Sequence, residues 1–113
     1  MAINGMTQTT THIVVLVTAS SVKEAETIGR GLVENRLAAC VNICTGVRSL
    51  FRWQGGIEEQ EEVLLLVKSR SDLLPSIIGA VKRLHSYTVP EVIALPILAG
   101  SPDYLAWIDE SVG

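Results

Sequence analysis

A pair of glycines near the middle of the chain separates a run of alternating apolar and polar positions from a charged segment and an apolar run. The pair, Gly55-Gly56, supplies the positive φ that a two-residue hairpin turn of type I′ or II′ needs. Before the turn the odd-numbered positions are mostly apolar: Val41, Ile43, Val47, Phe51 and Trp53. After it, the charged segment 58–62 gives way to the apolar run 63–67. The period of two predicts the first strand, and the apolar run, too short for a free-standing helix and bounded by charge, predicts the return strand. We therefore predict a long β-hairpin that pairs Arg52 with Glu59 and that either bends or projects beyond its own subunit.

The apolar pattern predicts five further elements. They are a central strand over 12–18, a helix from Ser20 or Ser21 to about 35–36, a helix from Asp72 to about His85, a strand over 91–98, and a short helix over 103–111 with Tyr104, Trp107 and Ile108 available for packing. The first helix opens with a capping-box pattern, in which Ser21 caps and Glu24 reaches back. In the second helix Asp72 is the expected N-cap and Pro75 falls in the first turn. Pro96 lacks a backbone donor, which predicts that the last strand lies at an edge or ends there.

This order of elements predicts a fold class and an assembly. Strand, helix, strand, strand, helix, strand and a C-terminal extra helix give an α+β, ferredoxin-like βαββαβ sandwich, with the helices on one face of a four-stranded antiparallel sheet. Several strands are apolar on both faces, yet two helices can cover only one of them. Because a monomer rarely exposes such a sheet face, we expect a homo-oligomer that packs its open faces together and uses the hairpin as an arm.

Composition and charge exclude several classes of protein. The 113 residues fit one domain, predicted over 12–113, and are 48% apolar and 19% charged. No apolar run approaches the roughly 18 residues of a membrane helix. A net charge of −3 without a basic cluster argues against nucleic acid and anionic membranes as partners. Residues 1–11 match neither a secretory signal nor a transit peptide and are predicted to be a disordered tail.

Cys40 and Cys44 could form a disulfide or a metal pair only on a suitable backbone. On a strand, four residues span about 13 Å, which exceeds the roughly 4.4 to 6.8 Å between Cα atoms that a disulfide tolerates. On a helix the same spacing would favour chelation. The period of two therefore predicts two reduced thiols on one face of a sheet, in a reducing cytosol.

Five stretches resemble one known family. They are LAACVNI at 37–43, WQG at 53–55, IEE at 57–59 with EVLL at 62–65, HSYTVPE at 85–91 with ALPI at 94–97, and DYLAW at 103–107. Together they resemble the divalent-cation tolerance proteins of the CutA family, over about residues 12–112. The resemblance implies a ferredoxin-like fold similar to the PII signalling proteins, an intertwined homotrimer, a cytoplasmic location, and tolerance of copper and other divalent metals, with no enzyme activity and no required cofactor.

The chain departs from the family pattern at five positions. Members proposed to bind copper carry a cysteine in the first strand and a histidine pair before the connector, where this chain has Val17 and Leu84 and keeps only His85. Ser86 and Thr88 replace the commoner Pro and Glu of that connector, and Thr45 replaces a usual Pro. The resemblance thus leaves His85, with Cys40, as the candidate contacts for Cu(II) or another divalent metal.

Each candidate residue also has a structural interpretation. His85 lies near a helix C-terminus, where an imidazolium would gain from the helix dipole. Cys40 and Cys44 are soft ligands when deprotonated, but buried thiols commonly only pack. The acidic residues between 58 and 62 could bind hard cations weakly or could form a solvated face. By analogy with PII-like proteins, five side chains are candidates to line a small-ligand cleft between subunits: Trp53, Glu61, Lys68, Tyr87 and Glu91.

Three functional hypotheses follow from these residues. The first is a trimeric metal-responsive protein that binds divalent cations, with His85 and Cys40 as contacts. The second is a PII-like signalling or scaffold trimer that binds a small ligand or an unknown protein partner at its subunit clefts. The third, a Cys/His enzyme, needs a thiolate beside an imidazole and an orienting residue that the sequence does not provide.

Overall fold

The computed structural model describes residues 11–113. The elements are β1 (His12–Ala19), α1 (Val22–Glu34), β2 (Cys40–Trp53), β3 (Gly56–Arg70), a 3-10 turn (Ser71–Leu73), α2 (Leu74–Leu84), β4 (Val92–Pro96) and α3 (Pro102–Ser111). Of the predicted disordered tail, residues 1–11, the first ten lie outside the described residues. Thr11, which that prediction included, accepts a hydrogen bond from the N–H of Ser71 and donates its own N–H to the Ser71 hydroxyl.

The four strands form one antiparallel sheet in the order β2-β3-β1-β4. With α1 between β1 and β2 and α2 between β3 and β4, this is the ferredoxin-like α+β sandwich that the sequence predicts. The order leaves β2 and β4 at the two edges, so the edge position predicted from Pro96 is confirmed.

One face of the sheet packs against α1 and α2, and we call it the helix face. Its side chains come from alternate positions of β1 and β3: Ile13, Val15, Val17, Ala19, Val63, Leu65 and Val67. They meet the apolar stripes of the two helices: Ala25, Ile28, Leu32, Ile77, Ala80 and Val81. All of these residues are buried, and removing their apolar surface from water is the main force that holds the sandwich together.

The opposite side, which we call the open face, is apolar but only partly covered. Val14, Leu16, Leu64 and Leu66 on its two central strands are half-buried. Ile93 and Leu95 on β4 each expose 51% of their surface. The open apolar face inferred from the sequence is therefore present in the chain.

A β-bulge in β2 breaks the predicted alternation. Cys44 faces Leu64 but Val47 faces Glu62, so two residues of β2, Thr45 and Gly46, lie opposite a single residue of β3. Gly46 has φ = 79°, a conformation that favours glycine. Because one extra residue inverts the parity of a strand, the odd positions do not share a face. Val41 and Ile43 lie on the helix face, whereas Val47, Phe51 and Trp53 lie on the open face.

The hairpin turn lies one residue earlier than predicted. Gln54 and Gly55 both have positive φ, 49° and 82°, as in a type I′ turn, and Gly56 already belongs to β3. The predicted Arg52–Glu59 pair is wrong, because Arg52 faces Ile57 and Glu59 faces Leu50. Glu59 instead binds the Arg48 guanidinium diagonally across the strands.

The two helix starts differ in their agreement with the sequence. Ser21 caps α1 as predicted, since its hydroxyl accepts from the N–H of Glu24 at 3.1 Å. Asp72 is not the N-cap of α2, because its carboxylate binds Arg70 at 3.1 Å and a 3-10 turn precedes the helix.

Helix α3 covers one end of the open face. Only Ile108 is fully buried, while Tyr104 and Trp107 stay partly exposed and pack on each other with ring centroids 5.4 Å apart. Asp109 reaches His12 at 3.0 Å and Arg70 at 3.8 Å on the open face. The chain after α3 is fixed by Arg36. The rest of the open face is left without a covering element among the described residues.

Candidate functional site

The segment that follows α2 carries a connected network of polar contacts. It begins at His85, the C-cap of α2, and crosses the end of β1 towards the open face. His85 and Tyr87 from this segment, Glu24 from the start of α1, and Glu62 from β3 converge here. Three separate elements therefore position one cluster of titratable side chains.

Both ring nitrogens of His85 contact backbone groups. Nδ1 accepts from the N–H of Tyr87 at 3.0 Å, and Nε2 lies 2.6 Å from the carbonyl oxygen of Thr18. An acceptor at Nδ1 and a donor at Nε2 define a neutral imidazole with its proton on Nε2. The side chain is fully buried, and its ring packs on that of Tyr87 with centroids 4.6 Å apart. Nδ1 also lies 3.8 Å from a carboxylate oxygen of Glu24.

Glu24 connects α1 to this segment. One carboxylate oxygen accepts from the N–H and hydroxyl of Ser20 at 2.8 and 2.9 Å, and the other accepts from the N–H of Ser86 at 2.7 Å. Burial on its own would raise the pKa of Glu24, but these hydrogen bonds outweigh it and lower the pKa from 4.5 to about 2. The glutamate therefore reaches back as the capping box predicts, but to Ser20, one residue before the cap.

Glu62 is the buried carboxylate of the cluster. Only 6% of the residue is exposed, and one carboxylate oxygen accepts from the Tyr87 hydroxyl at 2.8 Å. Gln60 lies 3.3 Å from the same hydroxyl. Burial and the adjacent Glu62 carboxylate raise the pKa of Tyr87 from 10.0 to about 12. Tyr87 therefore stays protonated and donates its hydrogen bond to the Glu62 carboxylate. Among the described residues, no basic side chain lies within 4 Å of that carboxylate.

Comparison with known proteins places this fold and this segment in one family. The model of the CutA1 divalent ion tolerance proteins matches residues 13–111. This chain belongs to the CutA1 family. A divalent-cation tolerance protein CutA of Thermus thermophilus is 52% identical over 100 residues, which are 88% of this chain and 97% of that protein. A solved structure described as a divalent cation tolerance protein, also from Thermus thermophilus, superposes with a TM-score of 0.89 at 51% identity, covering 90% of this chain and 99% of the other.

Longer relatives also contain the CutA1 domain. Protein CutA of the mouse is 46% identical over 94 residues, which are 83% of this chain but 53% of the mouse protein. The chain therefore spans about half the length of that relative. Between residues 11 and 113, no helix combines the length and apolarity needed to cross a membrane.

The two metal contacts predicted from the CutA1 resemblance do not lie together in one subunit. His85 contacts Thr18, which pairs with Leu64, whereas Cys40 pairs with Lys68 on the other side of β3. Leu64 and Lys68 are four residues apart, so the two contacts are offset by about 13 Å along the strand alone. Cys40 and Cys44 lie on the same face of the sheet, as predicted, and form no disulfide with each other; that face is the open face. No group of three or more His, Cys, Asp or Glu side chains within residues 11–113 is placed to hold a metal ion. The donors that residues 11–113 of one subunit bring together therefore do not fit a multidentate copper site.

The five predicted cleft residues are also spread along the sheet. Trp53, opposite Gly56 at the hairpin tip, and Lys68 lie on the open face at opposite ends of β3, and Tyr87 contacts Glu62 between them. Glu61 points to the helix face, beside a shallow groove of about 200 Å³ near Ser20 and Thr45, and Glu91 is exposed before β4. No hydrogen bond or ion pair among residues 11–113 joins two of these five side chains.

Glu62 is the site residue that sequence reasoning missed. The sequence groups it with its acidic neighbours as a charged segment, although it lies two and four residues before Leu64 and Leu66 and so shares their face. The parity of the following apolar run was the available signal that this glutamate, unlike Glu61, belongs to the open face.

Proposed function

We propose that this protein is a homotrimeric, cytoplasmic divalent-cation tolerance protein that binds its ligand and catalyses no reaction. Membership of the CutA1 family supports the general function. The observation that carries the assembly is the open face, whose half-buried and exposed aliphatic side chains have no covering element beyond α3 among the described residues.

The hairpin supports the same assembly. Its outer half, beyond the bulge, exposes Leu50 and Ile57 on one face and Trp53 on the other. A two-stranded ribbon with apolar side chains on both faces is poorly stable in water by itself, so we propose that it lies as an arm on a neighbouring subunit. Sedimentation equilibrium tests this: the 12.2 kDa chain should give a species of about 37 kDa, three times its mass. A monomer at micromolar concentration contradicts the assembly.

For the ligand, we propose Cu(II) or another divalent metal contacting His85, with Cys40 as the second predicted contact. Binding at His85 has to displace either the Tyr87 N–H from Nδ1 or the Thr18 carbonyl from Nε2, and further donors have to come from another subunit. This predicts affinity lower than that of a preformed site, because the displaced backbone groups must find other partners.

Calorimetric titration of reduced, tag-free protein with Cu(II) and Zn(II) tests this proposal. We expect saturable binding at one site per subunit in the wild type, lost in His85→Gln and weakened in Cys40→Ser. His12→Gln is the matched control, since it removes the other histidine of the chain. Far-UV circular dichroism of each variant establishes that the fold is kept. Binding that is indifferent to His85, or absent from the wild type, contradicts direct metal handling at this residue.

A second candidate function is a PII-like module that binds a small anion or a partner protein in a cleft between subunits. It is favoured by Lys68, whose ammonium lies on the open face and has no carboxylate partner among residues 11–113. This function predicts a rise in melting temperature with phosphate or citrate in the presence of EDTA, lost in Lys68→Met. A melting temperature that responds only to metal ions contradicts it.

A further inference from the structure

The open side of β3 carries an ordered row of four side chains. Positions 62, 64, 66 and 68 share the open face and read Glu62, Leu64, Leu66 and Lys68. The row therefore has a carboxylate at one end, two leucines in its centre and an ammonium at the other end. Six residues of strand separate the two charges by about 20 Å, so they cannot meet within one subunit.

Lys68 differs from the other basic side chains of the open face because it has no carboxylate partner among residues 11–113. The basic side chains on the open face of the described strands are His12, Lys68 and Arg70. His12 and Arg70 both reach the Asp109 carboxylate. Lys68 instead contacts the neutral side-chain amide of Asn42 and has no carboxylate partner among residues 11–113.

Glu62 is the complementary case. Its carboxylate is almost fully buried in a single subunit and has one neutral donor, the Tyr87 hydroxyl. A buried carboxylate without a cation carries a large desolvation penalty, and burying the open face against another chain would increase it. A cation that arrives with the covering chain would offset this penalty.

The chain itself can supply that cation. We propose that the Lys68 ammonium of one subunit pairs with the Glu62 carboxylate of a neighbouring subunit, beside Tyr87. The leucines between them pack in the same interface, so that the row is complementary to a second copy in both charge and apolar surface. Since the carboxylate and the ammonium lie at opposite ends, each subunit can give Lys68 to one neighbour and Glu62 to the other, which is the head-to-tail pattern that closes a ring.

This inference rests on the proposed homo-oligomer and goes beyond it by naming the pair. Sedimentation velocity over a range of subunit concentrations, at low and high salt, provides the test. The single reversals Glu62→Lys and Lys68→Glu place like charges at the interface, and each should raise the dissociation constant by about tenfold or more. The double reversal Glu62→Lys/Lys68→Glu should restore most of the assembly. Rescue by two changes that are about 20 Å apart in one chain can only arise between chains.

A matched control changes the same charges on the other layer of the molecule. Glu26→Lys/Lys82→Glu reverses one carboxylate and one ammonium on exposed positions of α1 and α2 and should leave the assembly unchanged. If a reversal does not fold, Glu62→Gln and Lys68→Met replace it. Each should weaken the oligomer, and the two together should weaken it no more than either alone, because both remove the same pair.

The outcomes separate the pair from the assembly. A wild-type oligomer that survives both single reversals overturns the pair and leaves the oligomer standing. Single reversals that dissociate the oligomer without rescue in the double variant also overturn the pair, because each charge then has a different partner. A monomeric wild type overturns both proposals.

Discussion

The Glu24 carboxylate accepts a hydrogen bond from the backbone N–H of Ser86 at 2.7 Å and thereby joins the start of α1 to the segment that carries His85 and Tyr87. Its pKa in the folded chain, about 2, lies below the ordinary value of 4.5. Glu24 therefore contributes stability that is fully present above pH 4.5 and is lost as the pH falls towards 2.

We expect Glu24→Gln to lower the free energy of unfolding by about 1 to 2 kcal/mol at neutral pH, because the variant loses charge-assisted hydrogen bonds. Its stability should also fall less than that of the wild type as the solution is acidified from neutral pH to about pH 2. Urea unfolding followed by circular dichroism at fixed subunit concentration measures both effects. Glu26→Gln, an exposed position on the same helix, is the control. If the free energy of unfolding of wild type and of Glu24→Gln changed with pH in parallel, the Glu24 carboxylate would make no pH-dependent contribution to stability.

Tyr87 should titrate well above an unperturbed tyrosine. Because its pKa is raised from 10.0 to about 12, Tyr87 contributes stability below pH 10 that is lost as the pH rises through 12. Ultraviolet absorbance of the phenolate should show its ionisation near pH 12 in the folded protein, and the transition should disappear in Tyr87→Phe. A transition near the ordinary pKa of tyrosine that belongs to Tyr87 contradicts the hydrogen bond to Glu62.

Removing the Tyr87 hydroxyl should also destabilise the fold. Tyr87→Phe leaves the buried Glu62 carboxylate without its donor, at a cost of about 1 to 3 kcal/mol. In the Glu62→Gln background the same substitution should cost less, since a neutral amide needs the donor less than a carboxylate does. The double-mutant cycle, measured by chemical unfolding, gives the coupling between the two side chains. If the two substitutions changed the free energy of unfolding additively, the Tyr87–Glu62 hydrogen bond would contribute no coupling energy.

Two positive-φ positions of the hairpin should respond to substitution in opposite directions. At Gln54, with φ = 49°, Gln54→Asn should stabilise by a few tenths to about 1 kcal/mol, because asparagine tolerates the left-handed conformation better. At Gly46, with φ = 79°, Gly46→Ala should destabilise by about 1 kcal/mol or more, although a Cβ there would meet no atom within 4 Å. Thermal unfolding of the two variants tests whether both positions adopt positive φ. Because a Cβ at Gly46 has free space around it, a loss of stability in Gly46→Ala would report backbone strain at the bulge and not a steric clash.

Arg36 fixes the C-terminal helix. Its guanidinium donates to the carbonyl oxygens of Gly113 and Glu110 at 3.0 and 2.9 Å, and its own carbonyl accepts from the N–H of Gly113. We expect Arg36→Gly to accelerate amide exchange in α3 by about tenfold or more while the exchange of β1 and β3 is unchanged. Glycine is the chosen replacement because Arg36 has φ = 58°, so the substitution removes the guanidinium without adding backbone strain. Equal acceleration throughout the chain would contradict a local role.

The order of elements and the open apolar face could be predicted from the sequence because both depend on periodicity. The register of the hairpin could not, because the alternation of β2 is interrupted at Thr45 and Gly46 and the turn uses Gln54, a residue with weak preference for positive φ. The candidate site was only partly predicted, since its contacts join residues that are distant along the chain. His85 and Tyr87 were identified, but the burial of Glu62 depends on which face of β3 it occupies.

Asp72 has two possible partners close to it in the sequence: the first backbone N–H groups of α2 and the side chain of Arg70. A carboxylate just before a helix can accept from the first backbone N–H groups, which is the reason for predicting an N-cap. In the folded chain the Arg70 guanidinium, two residues earlier, takes both carboxylate oxygens instead. The sequence contains both partners of Asp72 but does not indicate which of them it binds.

The bulge at Thr45 and Gly46 also constrains how this chain can change in length. The inner part of β2 packs Val41 against the core beneath α1, whereas the outer part presents Phe51 and Trp53 to the opposite side of the sheet. Loss of one residue between Cys44 and Val47 would therefore turn every outer side chain over and exchange the aromatic surface of the hairpin for its arginines. The spacing from Cys44 to Val47 therefore determines which side chains of the outer hairpin lie on the open face. A single-residue deletion should be tolerated better at the exposed tip than between these two residues.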